Sequence, residues 1–241
     1  MTWTNRFKMF FGIIAVLLIV AAATLVFNQR QTHVLSSSAQ IAAERYDVGT
    51  DYGGLVLERY VDEGDTVTAG QRLYDIESLT LSRDLEQGLV TDDSSTIAGD
   101  GTLVVRASVD GTVTDLTVDA GGYASSGGVV ATIDREGTLF AEAEFILSPR
   151  DFGRITDDAA VELRLPDGRQ LAGVVSEISV ETVDGDAHVT ARIDSEQLVQ
   201  GDANGLIAPG TPLEATLLLR DDGPLAGVTD ALGDLARKVG L

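Results

Sequence analysis

Gly54 to Ile76 reads GLVLERYVDEGDTVTAGQRLYDI, and Gly111 to Ile133 reads GTVTDLTVDAGGYASSGGVVATI. Shifted by 57 residues, the two stretches match at Gly54/Gly111, Val56/Val113, Val61/Val118, Asp62/Asp119, Gly64/Gly121, Gly70/Gly127 and Ile76/Ile133. Leu73/Val130 and Val67/Ala124 pair apolar with apolar. A pattern that returns at a fixed offset marks a repeated structural unit. Within each copy apolar and polar residues alternate, as in half-buried strands. The matched glycines fall where tight turns require positive φ. One copy holds too few apolar residues to close a core. The expectation is therefore a single mainly β domain, in which the two copies face each other about a pseudo-two-fold.

Outward from the repeat, composition sets the limits. The chain has 241 residues, 44% hydrophobic and 5% aromatic, which suits one anchor and one or two small β domains. A formal net charge of −21 excludes a nucleic-acid partner, since phosphate binding needs clustered Lys and Arg. The acidic residues are dispersed and read as a solvated surface. With no cysteine, disulfides, thiol catalysis and thiolate metal sites are excluded.

Before the repeat, residues 1–9 carry Arg6 and Lys8, and Phe10 to Phe27 is an uncharged run of 18 residues. That is close to the roughly 20 residues that cross a bilayer. The flanking positive charges place residues 1–9 in the cytoplasm and the rest outside. Ala21–Ala23 also offers a signal-peptidase site, but the run continues past it and exceeds the usual apolar core of a signal peptide. An uncleaved, single-pass anchor in the cell membrane is the reading adopted. Residues 28–40 are polar and Ser-rich and read as a stalk. The β domain is expected over 41–137.

Between the copies, Glu77 to Leu103 is an insertion of 27 residues. Leu81, Leu85 and Leu89 recur every four residues and predict a short helix within Ser78–Leu89. Asp92 to Thr102 is turn-forming. After the second copy, residues 138–220 contain alternating segments (LFAEAEFI, AVELRLPDGRQLAGVVSEI, AHVTARI and PLEATLLL) with turn signals at Pro166-Asp167-Gly168 and Asp184-Gly185-Asp186. They predict a small β-barrel. In 221–241, Leu225, Val228, Leu232, Leu235 and Val239 form one stripe of a C-terminal amphipathic helix, with Arg237 and Lys238 at its positive-preferring end. Such a helix packs on its own barrel or docks on a partner.

The paired Gly-x-Val…Val-x-x-Gly-x-x-(Val/Ala)-x-x-Gly motif, after an anchor and before a β-rich module, resembles the HlyD-type membrane fusion proteins, or periplasmic adaptors. The shared fold is a lipoyl-like barrel-sandwich hybrid split by an insertion, followed by a β-barrel. Ser148–Phe152, leading into Gly153-Arg154-Ile155, is similar to the short helix after the barrel's first strand, and Ala208–Pro212 to the family's approach to its last strand. The resemblance implies a non-catalytic adaptor of an export or efflux system, of ABC type. Its implied partners are an inner-membrane transporter (permease and ATPase), further copies of itself in a ring, and membrane lipid through residues 10–27. Relatives in double-membrane bacteria often carry a long helical hairpin in the insertion. Here even two arms of about 12 residues would reach only about 18 Å, which points to a single-membrane cell.

Lipoyl and biotinyl domains carry their cofactor on a Lys in the turn after the first half-motif. Thr80 stands at that place, and the only lysines are Lys8 and Lys238. No cofactor is expected. The only histidines, His33 and His188, read as structural, and Asp92, Asp93 and Asp100 lack the EF-hand spacing. No phosphate-binding loop or nucleophile elbow is present, so no catalytic, cofactor or metal residue is assigned. The competing function is a stand-alone envelope protein that binds peptidoglycan or another glycan. Against it stands the scarcity of aromatic residues, Trp3 being the only Trp.

Overall fold

A computed structural model describes residues 32–90, 96–98 and 101–221, together with Gly12 and Val16. It comprises two compact units. One contains Ala42–Leu139 and Val199–Pro209; the other contains Phe140–Leu198 with residues 32–41 and 210–221. The expected span Phe10–Phe27 lies outside the described residues except for Gly12 and Val16, which are helical. Among the described residues no helix is long and apolar enough to cross a membrane. The expected C-terminal helix also lies outside them.

In the first unit the repeat is realised strand by strand. The first copy forms β3 (Arg45–Gly49), β4 (Gly54–Arg59), β5 (Thr66–Val67) and β6 (Arg72–Glu77). The second forms β8 (Thr102–Arg106), β9 (Gly111–Leu116), β10 (Tyr123–Ala124) and β11 (Val129–Arg135), each beginning 57 residues after its counterpart. Between them lie α1 (Leu79–Glu86) and the two-residue strand β7 (Ile97–Ala98).

The copies exchange strands. One sheet runs β10-β4-β6-β8-β7 and the other β3-β11-β9-β5, so each sheet is built from both copies. The exchange is reciprocal down to single hydrogen bonds. Gly64 N donates to Val113 O at 2.8 Å, and Gly121 N to Val56 O at 2.8 Å. Gly70 N donates to Ala107 O at 2.8 Å, and Gly127 N to Thr50 O at 2.7 Å. All four glycines sit at positive φ, between 75° and 91°, where an L side chain is strained. Even the register shifts recur, at Val56/Glu58 and Arg72/Tyr74 in the first copy and at Val113/Asp115 on β9 and Val129/Ala131 on β11 in the second.

The core follows from the same register. Val56 and Val113, Val67 and Ala124, Leu73 and Val130, and Ile76 and Ile133 are all buried. Each fully buried aliphatic side chain contributes about 1.5–3 kcal/mol, so neither half can forgo the other's contribution. Tyr74 against Ala131 departs most from equal size, both being fully buried. The large ring occupies the core where its counterpart is small. Its phenol donates to Val130 O at 3.2 Å, and burial pushes its pKa up to about 12.

The second unit is one antiparallel sheet in the order β1-β16-β13-β14-β15-β12-β2. Its members are β1 (His33–Leu35), β2 (Ser38–Ala42), β12 (Phe140–Leu147), β13 (Ala160–Arg164), β14 (Gln170–Val183), β15 (Asp186–Asp194) and β16 (Glu214–Leu218). A short helix, α2 (Pro149–Phe152), follows β12. Strands β1 and β2 stand at opposite edges of the sheet yet are joined only by Ser36-Ser37. Ser36 N donates to Ala215 O and Ser37 N to Glu144 O, both at 2.8 Å. One continuous segment thus bonds both edges and closes the sheet into a barrel, leaving no free edge to aggregate.

This corrects the stalk reading of residues 28–40, because from His33 onward they are barrel strands. The composition hid them. Ser36, Ser37 and Ser38 break the alternation, and only Val34, Ala39 and Ile41 mark the inward face. Elsewhere alternation is plain, as in β12, where the buried Ala141, Ala143, Phe145 and Leu147 alternate with Glu142, Glu144 and Ile146. The Asp184-Gly185 turn joins β14 to β15 with both residues at positive φ, the backbone of a type I′ hairpin.

Candidate functional site

Thr80 is exposed on the first turn of α1, in the place that a lipoyl or biotinyl Lys would take. What stands there is a capped helix rather than a carrier turn. Ser78, wholly buried, is its N-cap: its Oγ donates to Gly53 O at 2.7 Å and accepts from Leu81 N at 3.4 Å. At the other end Gly88 adopts φ 69°. Gly88 N donates to Leu85 O at 3.0 Å and Leu89 N to Asp84 O at 2.9 Å, the pair of bonds that defines a Schellman stop. Leu81 is buried in the unit's core, and Tyr52 Oη donates to Asp84 Oδ2 at 3.3 Å. Burial and the Asp84 carboxylate raise the Tyr52 pKa.

The expected helix in the insertion is therefore present, anchored at both ends and along its length. Its eight residues extend about 12 Å. The chain returns through β7, which pairs with β8, so the described part of the insertion holds one helix and one strand. Asp92, Asp93 and Asp100 lie outside the described residues. Among the described residues no three metal-binding side chains gather. His33 lies on β1 and His188 on β15, both exposed and in separate places.

The outer surface of the repeat separates the copies. On β4, Leu55 and Leu57 are 43% and 49% exposed, and Tyr123 of β10, directly opposite Leu55, is 70% exposed. At the 57-residue offset the counterparts are Thr112 and Thr114 on β9 and Thr66 on β5, which pair with each other in the other sheet. A charged cluster adjoins the apolar face. Arg72 lies 4.7 Å from the centre of the Tyr60 ring and is paired to the buried Asp75. Tyr60 Oη donates to Glu58 at 2.8 Å or to Asp75 at 2.9 Å. Those two carboxylates push the Tyr60 pKa up to about 12. In the second copy Val129, Thr117 and Thr132 replace Arg72, Tyr60 and Asp75. Neither the apolar face nor the cluster was singled out from sequence. Subtracting the two copies would have brought out both, since Leu55/Thr112, Leu57/Thr114, Tyr60/Thr117, Arg72/Val129 and Asp75/Thr132 are aligned pairs that differ in character.

The interlocked halves with an insertion at their junction are the decisive geometry, and residues 44–134 match the family model of the barrel-sandwich hybrid domain of RND membrane fusion proteins. This is a hybrid domain of the kind found in RND membrane fusion proteins. The expected likeness to HlyD-type adaptors holds. Solved membrane fusion structures share the fold beyond this domain. ZneB from Cupriavidus metallidurans is 17% identical with a TM-score of 0.57, over 78% of this chain and 99% of that one. MacA from Actinobacillus actinomycetemcomitans is 14% identical with a TM-score of 0.58, over 78% and 79%. A MacA-MexA chimera carrying the Pseudomonas aeruginosa MexA α-hairpin is 15% identical with a TM-score of 0.58, over 79% and 83%. No curated protein matches.

Proposed function

We propose that this chain is a membrane-anchored adaptor subunit of an export transporter, working through surfaces and not through a catalytic site. The observation that carries the reading is the hybrid domain itself, matched to a membrane fusion family model and bearing a capped helix where a cofactor lysine would be. Membrane fusion proteins are non-catalytic adaptors. The anchor is assigned to Phe10–Phe27 from its apolar run and from Arg6 and Lys8 before it. The transporter is assigned to the ABC class from the sequence resemblance, while the matched family model comes from RND systems.

Self-association is part of the proposal. A pseudo-symmetric unit with one apolar and one threonine-rich outer face offers two different surfaces for head-to-tail contact, the kind that closes rings. The face of Leu55, Leu57 and Tyr123 has no role in the unit's own core and is assigned to a second copy. Purifying the intact chain from its host membrane in mild detergent tests the adaptor reading. Mass spectrometry should find a transporter permease, with its ATPase if the system is of ABC type. Enrichment of peptidoglycan fragments with no transporter would favour the glycan-binding alternative.

A further inference from the structure

Beside α2 the barrel unit has a groove of about 590 Å³, lined on one side by Phe152, Gly153 and Ile155 and on the other by Val175, Ile178 and Val180. Ile178 and Val180 pair with the buried Ala191 and Val189, so they continue the barrel's inward face past the point where the barrel covers it. Val180 and Phe152 are consequently exposed although apolar. Asp157 and Glu177 give the groove an acidic rim.

The end of the last strand is tied to this place. Arg220 N donates to Arg154 O at 3.1 Å, and Arg154 Nε donates to Arg220 O at 3.0 Å. Arg154 lies between the lining residues Gly153 and Ile155, so the chain leaves the barrel at the mouth of the groove. Three residues, Asp222 to Pro224, then separate Asp221 from Leu225, where the apolar stripe of the sequence begins, and the four Cα steps can span about 13 Å. As a helix, Leu225–Val239 would be about 22 Å long, with Arg237 and Lys238 in its last turn as cations for the acidic rim. We propose that this groove seats the chain's own C-terminal stripe: Leu225, Val228, Leu232, Leu235 and Val239.

The absence of native cysteine allows a direct test on the full chain in detergent. In V180C/L232C, mild oxidation should give a disulfide within one chain, seen as monomer on a non-reducing gel and a loss of two hydrogens in the intact mass. V180C/D230C, which moves the thiol two residues round the helix and off the stripe, should link at least fivefold less. A disulfide-linked dimer would assign the groove to a second copy's tail and overturn the proposal. Equal linking by both pairs, or no monomeric link, also overturns it. Hydroxyl-radical footprinting gives a second readout. L232D should raise labelling of Phe152 severalfold, and unchanged labelling contradicts the seat.

Discussion

Facing inward, Val56, Val67, Leu73 and Ile76 of the first copy occupy the positions that Val113, Ala124, Val130 and Ile133 occupy in the second. Facing outward, Leu55, Leu57 and Tyr123 stand against Thr112, Thr114 and Thr66. Apart from the exposed pair Asp62/Asp119, the residues that repeat are those the fold requires: core aliphatics, and glycines at positive φ or under a crossing backbone. The exposed residues that fail to repeat are free of that requirement. In the proposed function the apolar cluster among them is assigned to a contact with a second copy, because folding alone gives no reason to keep it exposed.

The largest expected effect comes from separating the copies. Residues 42–90 or 101–137 expressed alone should show no cooperative melting transition, because β5 and β10 would each lose the partner supplied by the other copy. The two halves in one chain should melt as a unit. A cooperatively melting half would break the comparison at its root.

Next come the glycines under crossing backbone. A Cβ on Gly54 would run into the Glu77 carbonyl and come within 2.9 Å of Ile76 Cγ2; on Gly111 it would meet the Asp134 carbonyl and lie 2.8 Å from Ile133 Cγ2. Gly54→Ala and Gly111→Ala should each cost about 2–3 kcal/mol by denaturant titration, and similar amounts. Gly64→Ala and Gly121→Ala meet open space and carry only the left-handed backbone penalty, about 1–2 kcal/mol. A large difference within either pair would show that the repeat is geometric but not energetic.

A smaller effect is expected where the copies differ inside. Asp134 is 5% exposed, with Oδ1 unmatched by any hydrogen bond and Arg45 Nε 3.4 Å away; its counterpart Glu77 is exposed. Burial raises the Asp134 pKa despite the opposing Arg45 charge. The folded state therefore holds this proton more tightly than the unfolded chain. The destabilisation from its charge is absent below the ordinary carboxylate pKa of about 3.9 and sets in as pH rises through the raised value. Asp134→Asn should raise the melting temperature at neutral pH and lose that advantage towards pH 3, while Glu77→Gln should leave stability unchanged. Melting curves between pH 3 and 7 would separate the two, and a destabilised Asp134→Asn would refute the assignment.

These cases show where the sequence was legible. The strands β4 to β6 and β9 to β11 could be read because their glycines and inward aliphatics repeat. Strands β3 and β8 share the offset too, but Val48/Val105 is their only identity, so the matched stretch was drawn too short. β1 and the start of β2 read as a stalk because three serines interrupt a segment whose task is to close a barrel by backbone hydrogen bonds, which depend little on side-chain type. The apolar face around Tyr123 was missed for another reason. Alternation identifies the half of a strand that faces the core and is silent on what the other half meets.

The most direct test of this division of labour is sedimentation of the full chain in detergent, compared with L55T/L57T/Y123T, which gives the β10-β4 face the threonines of the β5-β9 face. The account predicts that the native chain sediments as an oligomer, and that the triple variant sediments as a monomer with an unchanged melting temperature. A variant that retains the native assembly, or a native chain that is already monomeric, would contradict it.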